Sequence, residues 1–130
     1  MKSNYKIAAA GIGSFVLGVG AASVLHAQGT APYYEVTEIA VKDQTAYEAS
    51  GVDKVREALK ASGAKLLAGG YNKATAVEGA PPANRFLIFV YPNKATADKV
   101  WADSIRPWMK GADKYVSSFR TVGVEGIEPK

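Results

Sequence analysis

"LLAGGYNKATAVEG", residues Leu66 to Gly79, decides the fold, because a glycine pair behind an apolar run is either a phosphate-binding loop or a bent strand. A phosphate loop needs its glycines between a strand and the N-terminus of a helix, where backbone N–H groups and the helix dipole meet the anion. No helical pattern follows Gly70. The chain runs on as Tyr71-Asn72-Lys73-Ala74-Thr75-Ala76-Val77 and turns at Glu78-Gly79-Ala80-Pro81-Pro82. Gly69 and Gly70 are therefore expected within or beside an extended segment, where glycine marks a bulge or a close backbone approach. A nucleotide site is not expected.

Upstream, Tyr33 to Val41 (YYEVTEIAV) is rich in β-branched and aromatic residues and reads as the first strand. Asp43 to Ser62 changes period: Val52, Val55 and Leu59 recur at helical spacing, with Ala49, Ala58 and Ala61 allowing close packing. Gly63 predicts a left-handed cap at its end. Gly51 inside the pattern costs about 1 kcal/mol relative to alanine, so the helix is expected to start late or bend there.

Downstream, Arg85 to Tyr91 (RFLIFVY) is an unbroken apolar run, the pattern of a strand covered on both faces. Pro92 and Asn93 stop it, and Asn93 is placed to cap a second amphipathic helix carrying Ala97, Val100, Trp101 and Ile105. Pro107 is expected to end or kink that helix, leaving Trp108 to Tyr115 irregular or as a short extra turn. Ser117 to Val124 (SSFRTVGV) then forms the last strand, before a Glu125-Gly126 turn. The order is βαββαβ, an α+β, ferredoxin-like arrangement: a four-stranded antiparallel sheet with two helices on one face. The other face needs a cover, and a second copy packed sheet to sheet supplies it, so a homodimer is expected.

The chain has 130 residues, 48% hydrophobic and 22% charged, in keeping with one globular domain. Ahead of that domain stand Lys2 and Lys6 and then nineteen uncharged residues, Ile7 to Leu25. Residues 1–27 read as a signal peptide cleaved between Ala27 and Gln28, with 28–32 (QGTAP) a linker and 33–127 the domain. This predicts an exported, periplasmic protein. The alternative is an inner-membrane anchor over residues 7–25, because about 20 apolar residues can span a bilayer. A run this rich in Ala and Gly would insert weakly. Membrane association is expected only through an uncleaved leader.

Of the 16 basic side chains, Lys2 and Lys6 fall in the leader, leaving 14 against 12 acidic ones. Lys42, Lys54, Lys65, Lys73 and Lys94 are scattered among acids, with no cluster to track a phosphate backbone, so nucleic acid is not an expected partner. The single histidine is His26 and there is no cysteine. Beyond Ala27 the chain therefore lacks the residues for a His- or Cys-ligated zinc, haem or iron–sulfur site, a Ser-His-Asp triad, or thiol chemistry. No metal and no cofactor are expected, and stability outside the cell would not come from disulfides.

"KLLAGGY" (Lys65 to Tyr71), "VEG" (Val77 to Gly79), "RFLIFVYPNKATADKVWADS" (Arg85 to Ser104) and "VGVEG" (Val122 to Gly126) resemble the bacterial family catalogued as domain of unknown function 1330. The likeness covers roughly Tyr33 to Ile127 and places the chain in the dimeric α/β-barrel superfamily. The leader ending "LHAQ" (Leu25 to Gln28) is similar to that of exported members. The resemblance implies a ferredoxin-like subunit and a face-to-face dimer, and no established activity. Relatives often carry arginine directly before the glycine pair and Ser-Pro-x-Tyr in the second helix. Here those places hold Ala68 and "DSIRPW" (Asp103 to Trp108), so no site is carried over. The wider superfamily includes cofactor-free monooxygenases, haem-degrading enzymes, dye-decolourising peroxidases and small-lactone isomerases. Its haem branch commonly relies on histidine.

Trp101, Trp108, Tyr71, Phe86 and Phe89 are candidates to line an apolar pocket between sheet and helices, though aromatics at such spacing are also ordinary core. Arg85, Arg106 and Arg120 could clamp a carboxylate with the guanidinium fork, or simply be solvated. Arg106 is favoured, beside Trp101, Asp103 and Trp108 where the helix is expected to break. For acid–base work the available groups are Asp103, Glu38, Glu78, Tyr71 and the lysines, each needing burial to shift its pKa. Glu78 and Glu125 precede glycines in turns, where carboxylates face solvent. The ligand-binding set is thus Tyr71, Trp101, Arg106 and Trp108, and the catalytic set Tyr71, Asp103 and Arg106. Three functions fit: a homodimer binding a small apolar or carboxylate-bearing molecule, a cofactor-independent monooxygenase or isomerase-type enzyme, or a structural envelope protein with a solid interior.

Overall fold

One side chain makes the switch from strand to helix after β1 (Tyr33–Val41): Asp43 Oδ1 accepts the Ala46 amide at 2.9 Å and starts α1 (Gln44–Glu48). The computed structural model describes residues 31–127; the leader 1–27 and most of the 28–32 linker lie outside the described residues. Gly51, at φ 92°, breaks the helical path, and α2 (Val52–Ala61) follows it. The glycine bend expected there is a complete interruption. Gly63 at φ 89° closes α2 as expected.

β2 (Lys65–Tyr71) and β3 (Arg85–Tyr91) come next, and Asn93 Oδ1 accepts the Thr96 amide at 2.8 Å to open α3 (Lys94–Val100). Pro107 does not end the helical path. A π turn (Trp101–Ile105) follows α3 and leads into α4 (Arg106–Met109). Proline lacks an N–H and its ring crowds the carbonyl four residues back. The widened turn just before it, in which the Arg106 amide bonds the Trp101 carbonyl, relieves that crowding. A 3₁₀ turn (Ala112–Lys114) then leads to β4 (Val116–Glu125).

The sheet order is β2-β3-β1-β4, every pair antiparallel, which is the ferredoxin-like topology. Thr37 stands opposite Leu87 on one side and Thr121 on the other. With period-2 alternation, this register turns Glu35, Thr37, Ile39, Arg85, Leu87, Phe89, Tyr91 and Phe119 toward the helices. Val36, Phe86, Ile88, Val90, Val122 and Val124 take the opposite face. Among the described residues no helix covers that face, so Phe86, Ile88 and Val90 are half-buried in the single chain, where the sequence predicted a strand covered on both sides.

The glycine pair belongs to a bent edge strand. The β2–β3 register shifts between Leu66 and Ala68, and Gly69 and Gly70 have φ values of 119° and 135°. A Cβ on Gly69 would collide with the Phe86 carbonyl oxygen. Residues 72–84 then form the loop to β3. It ends at Asn84, whose side chain accepts the Val41 amide and donates to the Val41 carbonyl, each at 2.8 Å.

Two core clusters lie beneath the helices. One gathers Ile39, Tyr47, Leu87 and Tyr115; the other gathers Val55, Tyr91, Val100 and Ile105. Phe89 and Trp108 pack against both. Among the described residues, no helix is long and apolar enough to cross a membrane.

Candidate functional site

Members of both clusters line a cavity of about 330 Å³ between sheet and helices. Ile39, Leu87, Phe89 and Phe119 form its floor; Val52, Leu59, Ile105 and Trp108 form its roof. Lys60 and Leu66 are exposed members of the lining, so the open side lies between α2 and the edge strand β2. Trp101, Ile105 and Trp108 recur at i, i+4 and i+7, which turns both indoles inward.

At one end sits Glu35, 5% exposed. The Trp101 indole N–H donates to both of its carboxylate oxygens, at 2.9 and 3.1 Å. Burial raises the Glu35 pKa, opposed first by the hydrogen bond from Trp101 and then by the nearby Tyr91 hydroxyl, and Asp98 adds slightly to the rise. Tyr91, 1% exposed, lies diagonally across the β1–β3 pair. Its hydroxyl is near enough to feel the Glu35 charge but makes no well-formed hydrogen bond, and burial is the main cause of its raised pKa. Between the ends, the Thr37 and Thr121 hydroxyls satisfy each other at 2.8 Å.

At the other end Arg85 stacks on aromatic rings, its guanidinium 4.4 Å from the Tyr71 centroid and 5.6 Å from that of Tyr47. Among the described residues it forms no ion pair, and its buried Nε has no partner. The Tyr71 hydroxyl donates to Glu48 at 2.7 Å, and Arg56 grips both Glu48 oxygens at 2.7 and 2.9 Å. The Arg56 hydrogen bonds are the main reason the Glu48 carboxyl falls to about 2. Burial, followed by the bond to Glu48, pushes Tyr71 up. Tyr71 therefore holds the Arg85 guanidinium from below and is itself tied to the rim. Trp108 is fixed by donating to the Ser50 hydroxyl at 3.0 Å.

Of the residues singled out from sequence, Trp101, Trp108, Phe89 and Arg85 line the cavity, and Tyr71 stands beside Arg85 at its edge. Asp103 and Arg106 do not line it. Because the helix continues through Pro107 instead of breaking, both fall on its outward side. Asp103 pairs with Lys99 at 2.7 Å, and Arg106 lies over the Trp101 ring at 5.5 Å from its centroid. Phe86 is on the opposite face, where Glu38 and Arg120 pair at 3.9 Å. Glu78 and Glu125 are exposed. Sequence reasoning passed over Glu35 and Tyr91. The signal for Glu35 was present, since the alternation of YYEVTEIAV puts it on the same face as Ile39 and Val41. Among the described residues no group of three or more His, Cys, Asp or Glu could hold a metal ion.

The model of the family described as "Domain of unknown function (DUF1330)" matches residues 32–126. The chain belongs to this family. This DUF1330 chain is similar in structure to a protein of unknown function from Rhodopseudomonas palustris, at 16% identity and TM-score 0.60, covering 82% of this chain and 92% of that one. A second similar structure is the "Putative antibiotic biosynthesis monooxygenase from Nitrosomonas europaea", at 13% identity and TM-score 0.52, covering 77% and 94%. At these identities the likeness shows the ferredoxin-like fold alone. No curated protein matches the chain.

Proposed function

We propose that this DUF1330 domain is an exported homodimer that binds a small, largely apolar molecule with an anionic end between its sheet and helices. The observation that carries the reading is the cavity itself. Protein interiors pack with few voids larger than a water molecule, whereas about 330 Å³ stays open here, in the range of ligand pockets. Arg85 supports an anionic end, because it is braced by two tyrosine rings and has no carboxylate partner among the described residues. The apolar open face of the sheet supports the dimer, and the basic-then-apolar composition of residues 1–27 supports export. An open interior fits a structural envelope role less well.

Titration with an apolar aromatic sulfonate, 1-anilinonaphthalene-8-sulfonate, tests the binding reading. Saturable binding at one site per chain is expected, and Leu59→Trp, which fills the cavity from its roof, should abolish it while the thermal midpoint is kept. Binding that ignores the filled cavity would reject the reading. A chain mass beginning at Gln28 in periplasmic extract, and a two-chain sedimentation mass, check export and pairing.

Glu35 favours a second reading, a cofactor-independent isomerase or monooxygenase type of enzyme. A carboxyl in an apolar cavity, held toward its neutral form, is suited to accept or deliver a proton. In that case Glu35→Gln loses turnover while ligand binding survives.

A further inference from the structure

Among the described residues two buried side-chain polar atoms have no hydrogen-bond partner, Arg85 Nε and the Tyr91 hydroxyl. Both belong to the lining of the one cavity. Buried polar groups in native proteins are almost always paired, and each one left unpaired costs about 1–3 kcal/mol. Two such residues, at opposite ends of one lining, mark the places where a ligand's polar atoms would sit.

The sheet register sets the distance between those ends. Arg85 pairs with Ile39, four residues along β1 from Glu35, on the same face. At about 3.3 Å per residue the two positions are about 13 Å apart. Leu87, Phe89, Ile39 and Phe119 lie on the floor between them, and the Thr37 hydroxyl there is already paired with Thr121. At the Arg85 end the free group is a cationic donor. At the Tyr91 end an unpaired hydroxyl stands next to the Glu35 carboxyl, which is an acceptor already bonded by Trp101. A group that donates to Glu35 while accepting from Tyr91 satisfies both, and a hydroxyl does this with one atom.

We infer that the ligand is an elongated apolar acid with a hydroxyl at the end remote from its acid group, the anion on Arg85 and the hydroxyl between Tyr91 and Glu35. This rests on the binding reading proposed for the cavity and adds to it the polarity of both ends and the direction of binding. A plain fatty acid satisfies one orphaned atom; the hydroxy acid satisfies both.

Calorimetric titration of the full chain with 10-hydroxydecanoate, decanoate and 1-decanol tests it. The hydroxy acid is expected to bind at least about tenfold more tightly than either of the others, each of which leaves one buried group unpaired. Tyr91→Phe, which removes the orphaned hydroxyl without opening space, should bring the hydroxy acid to the decanoate level and leave decanoate unchanged. Arg85→Met should drop decanoate below decanol and leave decanol unchanged. If decanoate binds but the added hydroxyl gives no gain, or the gain survives Tyr91→Phe, the two-ended ligand is overturned and the binding pocket stands. If none of the three probes binds, the binding reading falls and this inference with it.

Discussion

The two faces of the sheet both mix polar and apolar residues, but in different ways. The face beneath the helices carries Glu35, Thr37, Arg85 and Tyr91, while the uncovered face presents Val36, Phe86, Ile88, Val90, Val122 and Val124. A domain built for stability alone would place these sets the other way round, because buried polar groups must be paired and exposed apolar groups gain nothing from water. The covered face has therefore given up core for a cavity with chemistry at both ends. The uncovered face keeps many of the apolar residues a core would use, relieved by polar residues such as the Glu38–Arg120 pair, and is suited to pack against a like surface.

The sharpest way to break this contrast is to put charge on the apolar face. Ile88→Glu should split the proposed homodimer, because two-fold symmetry buries two like charges at once, at a cost of several kcal/mol. Sedimentation should then give the mass of one chain with far-ultraviolet dichroism unchanged; an unaltered two-chain mass would mean that this face is not the interface.

Next in size is truncation on the covered face. Ile39→Ala should lower the unfolding free energy by about 2–4 kcal/mol in urea melts. Val36→Ala, three residues away on the other side of the same strand, should cost no more than about 1 kcal/mol in a chain already dissociated by Ile88→Glu. Equal costs would erase the distinction between the faces.

The pH dependence sharpens the contrast within the covered side. Burial raises the Glu35 pKa above 4.5, so the folded state holds that proton more tightly than the unfolded chain. Its contribution is complete at acid pH and declines as pH climbs from about 4.5 through the raised value. Thermal midpoints of Glu35→Gln should lack this decline and exceed wild type above it. Glu48 has the opposite sign. Its folded value of about 2 gives a contribution present above pH 4.5 and lost as pH falls toward 2. The Arg56–Glu48 side chains are 37% and 38% exposed, so solvent screening leaves Arg56→Met a cost of only about 0.5–1 kcal/mol at neutral pH, vanishing in acid.

Much of the fold was readable because the signals are local. Gly51, Gly63 and the Asn93 cap act on their own neighbours, and each does so here. The glycine pair was readable for the same reason, since the residues after Gly70 carry no helical pattern. Pro107 was not, because its effect is undone by the π turn just before it, and nothing in "WADSIRPW" announces that turn. The misplacement of Asp103 and Arg106 has the same cause: a helix that continues turns them outward. The site was half legible. Trp101 and Trp108 stood out as aromatics, but Tyr91 looks like any strand-end core residue, and its importance lies in a partner it lacks.

Asn84 has a consequence for how the chain can change. Its carboxamide faces Val41 as a further strand residue would, giving one acceptor and one donor, each at 2.8 Å. The β1–β3 ladder is thereby sealed by a side chain one rung beyond its last backbone pair. Residues 72–83 hang outside that seal, so the connection can gain, lose or exchange residues without slipping the register that spaces Glu35 from Arg85. The seal separates a segment free to diversify from a floor that must stay in step.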